Sequence, residues 1–253
     1  MAVRFSANLG FLWTELPLPD AIRAAAEAGF DAVECHWPYA VDPGDVRAAL
    51  EETGLPMLAI NTVRGPEGAF GLSALPGHEA EARAAIDQAV DYAAAIGAGA
   101  VHAMAGLAEG PVAEAAFRDN LRHACERAGR LGIAVLIEPL NRFDAPGYFL
   151  RDTGQAAGII AGLGMENLKL MFDCYHVART EGDVAARLEA VLPLVGHIQF
   201  AGVPARGRPD EGELDYAAVF ARIEALGWDR PLGAEYRPDG VTGESLGWMA
   251  SLR

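Results

Sequence analysis

Three carboxylates and one amide end four apolar runs in the second half of this 253-residue chain. Ile133-Ala-Val-Leu-Ile-Glu138 and Leu168-Lys-Leu-Met-Phe-Asp173 finish in acids. Val195-Gly-His-Ile-Gln199 finishes in an amide, and Pro231-Leu-Gly-Ala-Glu235 in a third acid. Like charges gathered at the ends of buried runs are costly unless a cation or shared protons offset them. The pattern therefore points to metal binding or acid–base chemistry. Oxygen donors of this kind suit a hard divalent cation, with room for a small oxygen-rich substrate. Gln199 is the weaker ligand of the four, and its other reading is a hydrogen-bonded orienting residue.

Asp173-Cys-Tyr-His176 sets an imidazole three residues beyond one candidate ligand, within reach of a substrate oxygen or a developing negative charge. His102 and His197 fall inside strand-like runs and read as supporting donors. His78 and His123 fall on helical stretches and read as surface residues, while His36 is unassigned.

The spacing of the four residues indicates what must hold them. From 138 to 173, 173 to 199 and 199 to 235 the steps are 35, 26 and 36 residues, each about one strand plus one helix. Apolar runs begin near residues 3, 31, 56, 99, 133, 168, 195 and 231, with Ala-, Glu- and Arg-rich helical segments between them. Helices are expected over Asp20–Ala28, Val112–Leu131 and Leu214–Leu226, each stopped by a glycine. Eight alternating units predict an α/β fold, a (β/α)8 TIM barrel forming a single domain over residues 1–253. In that fold all the strand ends open onto one face, where chemistry is built. A single glycine in the Leu9-Gly10-Phe11 turn argues against a dinucleotide fingerprint. Two connections, Asn61 to Gly77 and Pro139 to Asp152, are longer than a barrel needs and are expected to shape the site.

Composition narrows the function. A formal charge of −15 argues against a phosphate-backbone partner and gives anionic membranes nothing to attract. Three cysteines without a CxxC pair fit a reducing compartment. The N-terminal residues show no basic-then-apolar segment, so a cytoplasmic protein without nucleic-acid or membrane partners is expected. Composition leaves self-association as a homo-oligomer open.

The chain resembles the hydroxypyruvate isomerase family, within the xylose-isomerase-like barrel superfamily. The resemblance is carried by Phe5-Ser-Ala-Asn-Leu9, Val33-Glu-Cys-His-Trp-Pro-Tyr39, Ile137-Glu-Pro-Leu-Asn-Arg142 and Phe172-Asp-Cys-Tyr-His176. It continues through His197-Ile-Gln-Phe-Ala-Gly-Val-Pro-Ala-Arg206, Gly212-Glu-Leu-Asp-Tyr216 and Gly233-Ala-Glu-Tyr-Arg-Pro238. It implies that Glu138, Asp173, Gln199 and Glu235 hold a divalent metal, Mg2+ or Mn2+, with Glu138 and Glu235 doubling as the proton-transfer pair. It also implies His176 and Arg206 as contacts for a small anionic hydroxy-keto acid, with Arg208 a rival to Arg206. Related ketose epimerases carry a His where this chain has Gln199. The expected reaction interconverts hydroxypyruvate and tartronate semialdehyde through an enediolate; the same chemistry on 2-oxotetronate is the nearest alternative. A non-catalytic binding protein and an abasic-site nuclease are disfavoured, the first by the paired glutamates and the second by the charge and by Gln199.

Overall fold

The apolar runs form strands that are buried on both faces, as a parallel sheet covered by helices requires. A computed structural model describes residues 3–253. Strands β1 (Phe5–Asn8), β2 (Ala32–Cys35), β3 (Met57–Asn61), β4 (Ala100–His102), β5 (Ala134–Ile137), β6 (Leu168–Asp173), β7 (Val195–Phe200) and β8 (Leu232–Ala234) pair in chain order. All pairings are parallel, and β8 closes on β1. The (β/α)8 barrel is therefore observed.

Helices α1 (Leu18–Glu27), α2 (Pro43–Thr53), α3 (Glu79–Ile96), α4 (Gly110–Gly129) and α5 (Thr153–Leu163) cover the first half of the sheet. Helices α6 (Cys174–Thr180), α7 (Val184–Val191), α8 (Tyr216–Ala225) and α9 (Trp248–Leu252) cover the rest. The expected helix over Asp20–Ala28 starts two residues earlier, because Pro19 fits the first turn and Pro17 supplies the extended residue before it. The expected Leu214 start moves to Tyr216, because the Asp215 side chain caps Ala218 N–H at 3.1 Å. No helix among the described residues is long and apolar enough to cross a membrane.

Alternation along the strands builds the site on a dry floor. Ala59, Ala100, Leu136 and Met171 form a separate buried cluster inside the barrel. Two residues further along each strand, on the same face, come Asn61, His102, Glu138 and Asp173. Outside the barrel, Phe5 packs on Phe200, Phe220 and Trp248 with ring centroids 5.7, 5.6 and 4.9 Å apart. That aromatic block ties β1, which carries Asn8, and β7, which carries Gln199, to helices α8 and α9.

Both long connections are pinned to the chain leaving β4. Gly71 bridges Ala105, and Leu107 bridges Tyr148. The Tyr148 hydroxyl accepts from Ala105 N–H at 2.9 Å, and Phe149 N–H donates to Gly106 at 3.0 Å. The expected loops exist, and the β4 extension holds them against each other at the mouth.

Candidate active site

Asp173 is placed twice over. As the last residue of β6 it caps α6, with Oδ1 accepting Tyr175 N–H at 2.8 Å. That use fixes the carboxyl and leaves Oδ2 buried with no hydrogen-bond donor among the described residues. The same short helix puts His176 in its first turn, with Nε2 3.6 Å from Asp173 Oδ2 and 3.9 Å from Glu138 Oε1. Glu138 follows β5 directly, 6% exposed, and its Oε1 also lacks a donor. Glu138, Asp173 and His176 form one tight group of potential ligands.

Glu235 has a different environment. It follows β8, and its Oε1 accepts from Asn8 Nδ2 at 2.9 Å and meets His36 Nε2 at 2.9 Å. Its Oε2 accepts from Arg206 Nη2 at 2.7 Å. Gly10 makes this possible, since a Cβ there would lie 2.2 Å from the His36 ring. Arg206 sits at φ +57°, a left-handed conformation that a non-glycine residue adopts only when its surroundings hold it. The guanidinium lies 4.7 Å from the Phe11 ring centroid and 5.1 Å from that of Tyr175, and 3.6 Å from Asp173 Oδ2. Arg208, by contrast, turns to Asp210 at 3.2 Å and Glu211 at 2.5 Å. Of the two candidate arginines, it is Arg206 that lines the cavity.

Gln199 lies beside Asp173 in register across β6 and β7. Its amide nitrogen donates to Glu34 Oε2 at 3.1 Å, and His197 Nε2 meets the same oxygen at 2.9 Å. A carboxylate accepts only, so the Gln199 nitrogen must face Glu34 and its Oε1 is left without a donor. Gly233 leaves room for this trio: a Cβ there would meet Glu34 Oε1 at 2.2 Å. His197 is thus a supporting residue, as expected. His102 stands with Nδ1 3.7 Å from Glu138 Oε2, and both its nitrogens lack hydrogen-bond partners among the described residues.

The charge states follow from these contacts. Burial raises the Glu138 carboxyl well above the usual range, and neighbouring Glu235 and Asp173 push it further. Burial also lifts Asp173, to about 7, against the pull of Arg206. Burial would lift Glu235 too, but Arg206 and His36 outweigh it and hold the group down at about 2. Burial depresses His176 to about 3, helped by Arg206, and depresses His102 to about 4. Both imidazoles are neutral at pH 7.

The tautomer of His176 is determined. Its Nδ1 accepts Asn141 N–H at 3.0 Å and Asn141 Nδ2 at 2.7 Å, so the ring proton sits on Nε2. A protonated nitrogen has no lone pair for a metal. Within the Glu138–Asp173–His176 group, His176 is therefore a hydrogen-bond donor. Glu138 Oε1, Asp173 Oδ2 and Gln199 Oε1 remain as buried oxygen acceptors without donors among the described residues. Such oxygens fit a divalent cation, which satisfies them all at once.

The cavity at this mouth measures about 220 Å³, roughly seven waters at ~30 Å³ each, and Asp173 and Gln199 lie behind the residues that line it. Glu138, His176, Arg206 and Glu235 all face it, and His36, Asn61, Arg64 and Asp144 join them. Sequence reading did not single out Glu34, Asn8, Asn141 or Arg64. Glu34 carried a readable signal, an acid inside the apolar run Ala32-Val-Glu-Cys35.

This chain belongs to the xylose isomerase-like TIM barrel family, whose model matches residues 22–252. It is 44% identical over 254 residues to the 2-oxo-tetronate isomerase of Cupriavidus necator, covering 97% of each chain. It is 41% identical over 262 residues to a Homo sapiens protein provisionally named hydroxypyruvate isomerase, covering 98% of this chain and 95% of the relative. Among solved structures, the crystal structure of AP endonuclease, family 2 from Brucella melitensis superposes with a TM-score of 0.94 at 36% identity, covering 99% of both chains.

Proposed function

We propose that this isomerase interconverts hydroxypyruvate and tartronate semialdehyde (2-hydroxy-3-oxopropanoate) by proton transfer between Glu138 and Glu235. The observation that carries the reading is a pair of buried glutamates from β5 and β8 facing one small cavity, with opposite charge environments. Two titratable groups whose surroundings drive them apart are the usual mark of an acid and a base.

Hydroxypyruvate carries a ketone between a CH2OH group and a carboxylate. One glutamate takes a proton from the hydroxyl-bearing carbon, and the electron pair passes into an enediolate. The other glutamate returns a proton to the neighbouring carbon, while the hydroxyl proton moves from one oxygen to the other. Glu235, held ionised by three donors, is the group ready to accept a proton. His176 directs its Nε2–H toward the reacting oxygens, where a fixed donor stabilises developing negative charge. Arg206 holds Glu235 in place and adds positive charge beside the same oxygens. Glu138, Asp173 and Gln199, whose buried oxygens are open, would hold a divalent cation, magnesium or manganese, beside Glu235 with its contacts to Asn8, His36 and Arg206; the cation supplies Lewis-acid stabilisation of charge on substrate oxygens when bound.

The alternative is the same proton transfer on 2-oxotetronate, supported by the 44% identity to the Cupriavidus enzyme of that name. Nuclease chemistry, suggested by the name of the Brucella structure, is poorly matched to a chain of net charge −15 with an oxygen-rich site. Proton NMR of each acid incubated separately with the enzyme tests the assignment. A kcat/KM at least tenfold higher for hydroxypyruvate is expected; a higher value for 2-oxotetronate transfers the function to the four-carbon acid.

A further inference from the structure

A substrate carboxylate needs a cation, and the one closest to the proton-transfer pair is already engaged. Arg206 lies 2.7 Å from Glu235 and 3.6 Å from Asp173, so two carboxylates surround one guanidinium. Arg208 is paired with Asp210 and Glu211. Two further arginines line the same cavity, Arg64 after β3 and Arg237 after β8. Neither forms an ion pair among the described residues.

Arg64 is half-buried and held by aromatic faces, its guanidinium carbon 4.2 Å from the Phe70 ring centroid and 5.6 Å from that of Trp37. Aromatic faces steady a guanidinium without consuming its N–H donors, which lie in the plane of the group. The loop that carries it is anchored: Gly71 N–H donates to Arg64 C=O at 2.9 Å, and Gly71 bridges Ala105. At φ +118°, and with a would-be Cβ 2.3 Å from Met104 O, position 71 requires glycine for this fold-back. The result is a pre-positioned, partly desolvated cation with open donors in a strongly acidic chain. That arrangement recruits a carboxylate, which can accept two parallel N–H bonds from one guanidinium. Arg237 is exposed at the rim, its guanidinium 5.9 Å from the Phe11 ring centroid, and is the secondary cation.

We propose that Arg64 is the anion anchor of this cavity, binding the carboxylate of a short 2-oxo-3-hydroxy acid and so selecting acids over neutral ketoses. This deepens the functional reading above and rests on it for the identity of the substrate. The direct test is the dissociation constant of D-glycerate, an inert carboxylate analogue, for wild type and Arg64→Gln, alongside hydroxypyruvate kinetics. Arg64→Gln should weaken glycerate binding at least tenfold and raise KM by a similar factor. Its kcat should fall by less, and its thermal midpoint should stay within two degrees or so of wild type. Glycerate affinity within twofold of wild type, or no glycerate binding by wild type, overturns the proposal. If glycerate binding depends on Arg64 but wild type leaves hydroxypyruvate unchanged, the anchor stands and the activity assignment falls. If wild type isomerises hydroxypyruvate and Arg64→Gln keeps its KM, the anchor falls and the activity stands.

Discussion

Asn141 donates its backbone N–H to Nδ1 of His176 at 3.0 Å, and this contact decides which imidazole nitrogen carries the proton. The Asn141 side chain reinforces it, since its Oδ1 accepts Phe143 and Asp144 N–H at 3.0 Å each while its Nδ2 reaches both Asp144 and His176. His176 is thereby presented as a neutral donor toward the mouth. Replacing it with Asn, which shortens the reach of the donor, should lower kcat about 100-fold or more with a smaller effect on KM, as loss of a fixed donor to a developing oxyanion does. Steady-state kinetics decides; an unchanged kcat removes His176 from the transition state.

In the proposed metal set, Glu34 would act through Gln199. Its Oε2 accepts from both Gln199 Nε2 and His197 Nε2, which turns the Gln199 oxygen away from Glu34. In Glu34→Gln the charge is lost and the Gln199 amide is free to reverse. Divalent-ion affinity, followed by calorimetric titration with Mn2+, should fall by about 10- to 100-fold, the usual cost of losing an outer hydrogen-bond partner. Equal affinity in the two proteins would leave Gln199 without a ligand role.

The raised pKa of Asp173 makes stability depend on pH in a definite direction. Burial first, then Glu235 against the pull of Arg206, sets the folded value at about 7, above the ordinary 3.8. Below 3.8 both states are protonated and the group is neutral to stability. As pH rises toward 7 the unfolded chain loses the proton that the native state retains, so stability declines, and above 7 the loss is complete. Asn keeps the cap on Tyr175 N–H through its amide oxygen and removes the titration. In chelator-treated protein, the melting midpoint of Asp173→Asn should exceed wild type by several degrees at pH 8 and by almost nothing at pH 4. Parallel melting curves across that range would contradict the assignment.

The site was legible where a polar residue broke an apolar strand pattern. Glu138, Asp173, Gln199 and Glu235 stood out because each ends an apolar run, and the strand–helix rhythm put them at one mouth. Glu34 carried a related signal, but it sits inside the run Ala32–Cys35 and not at its end, so the strand-end pattern passed over it. Asn8 and His36 reach Glu235 across 227 and 199 residues of chain, a relation that only the closure of β8 on β1 creates. Arg206 and Arg208 could not be separated by sequence because they share a loop; the left-handed backbone at Arg206 turns the first inward. Helix ends moved by about two residues where prolines and Asp215 capped differently from the glycine-stop pattern.

Isotope transfer in deuterated water bears most directly on the two-glutamate account. Wild type, Glu138→Gln and Glu235→Gln are each incubated with hydroxypyruvate, and proton NMR follows both deuterium entry and product formation. Solvent deuterium is expected at the new C–H of tartronate semialdehyde with wild type, with a loss of at least 100-fold in turnover for each variant. Product that forms without solvent deuterium, at rates that survive either substitution, would contradict proton transfer between Glu138 and Glu235.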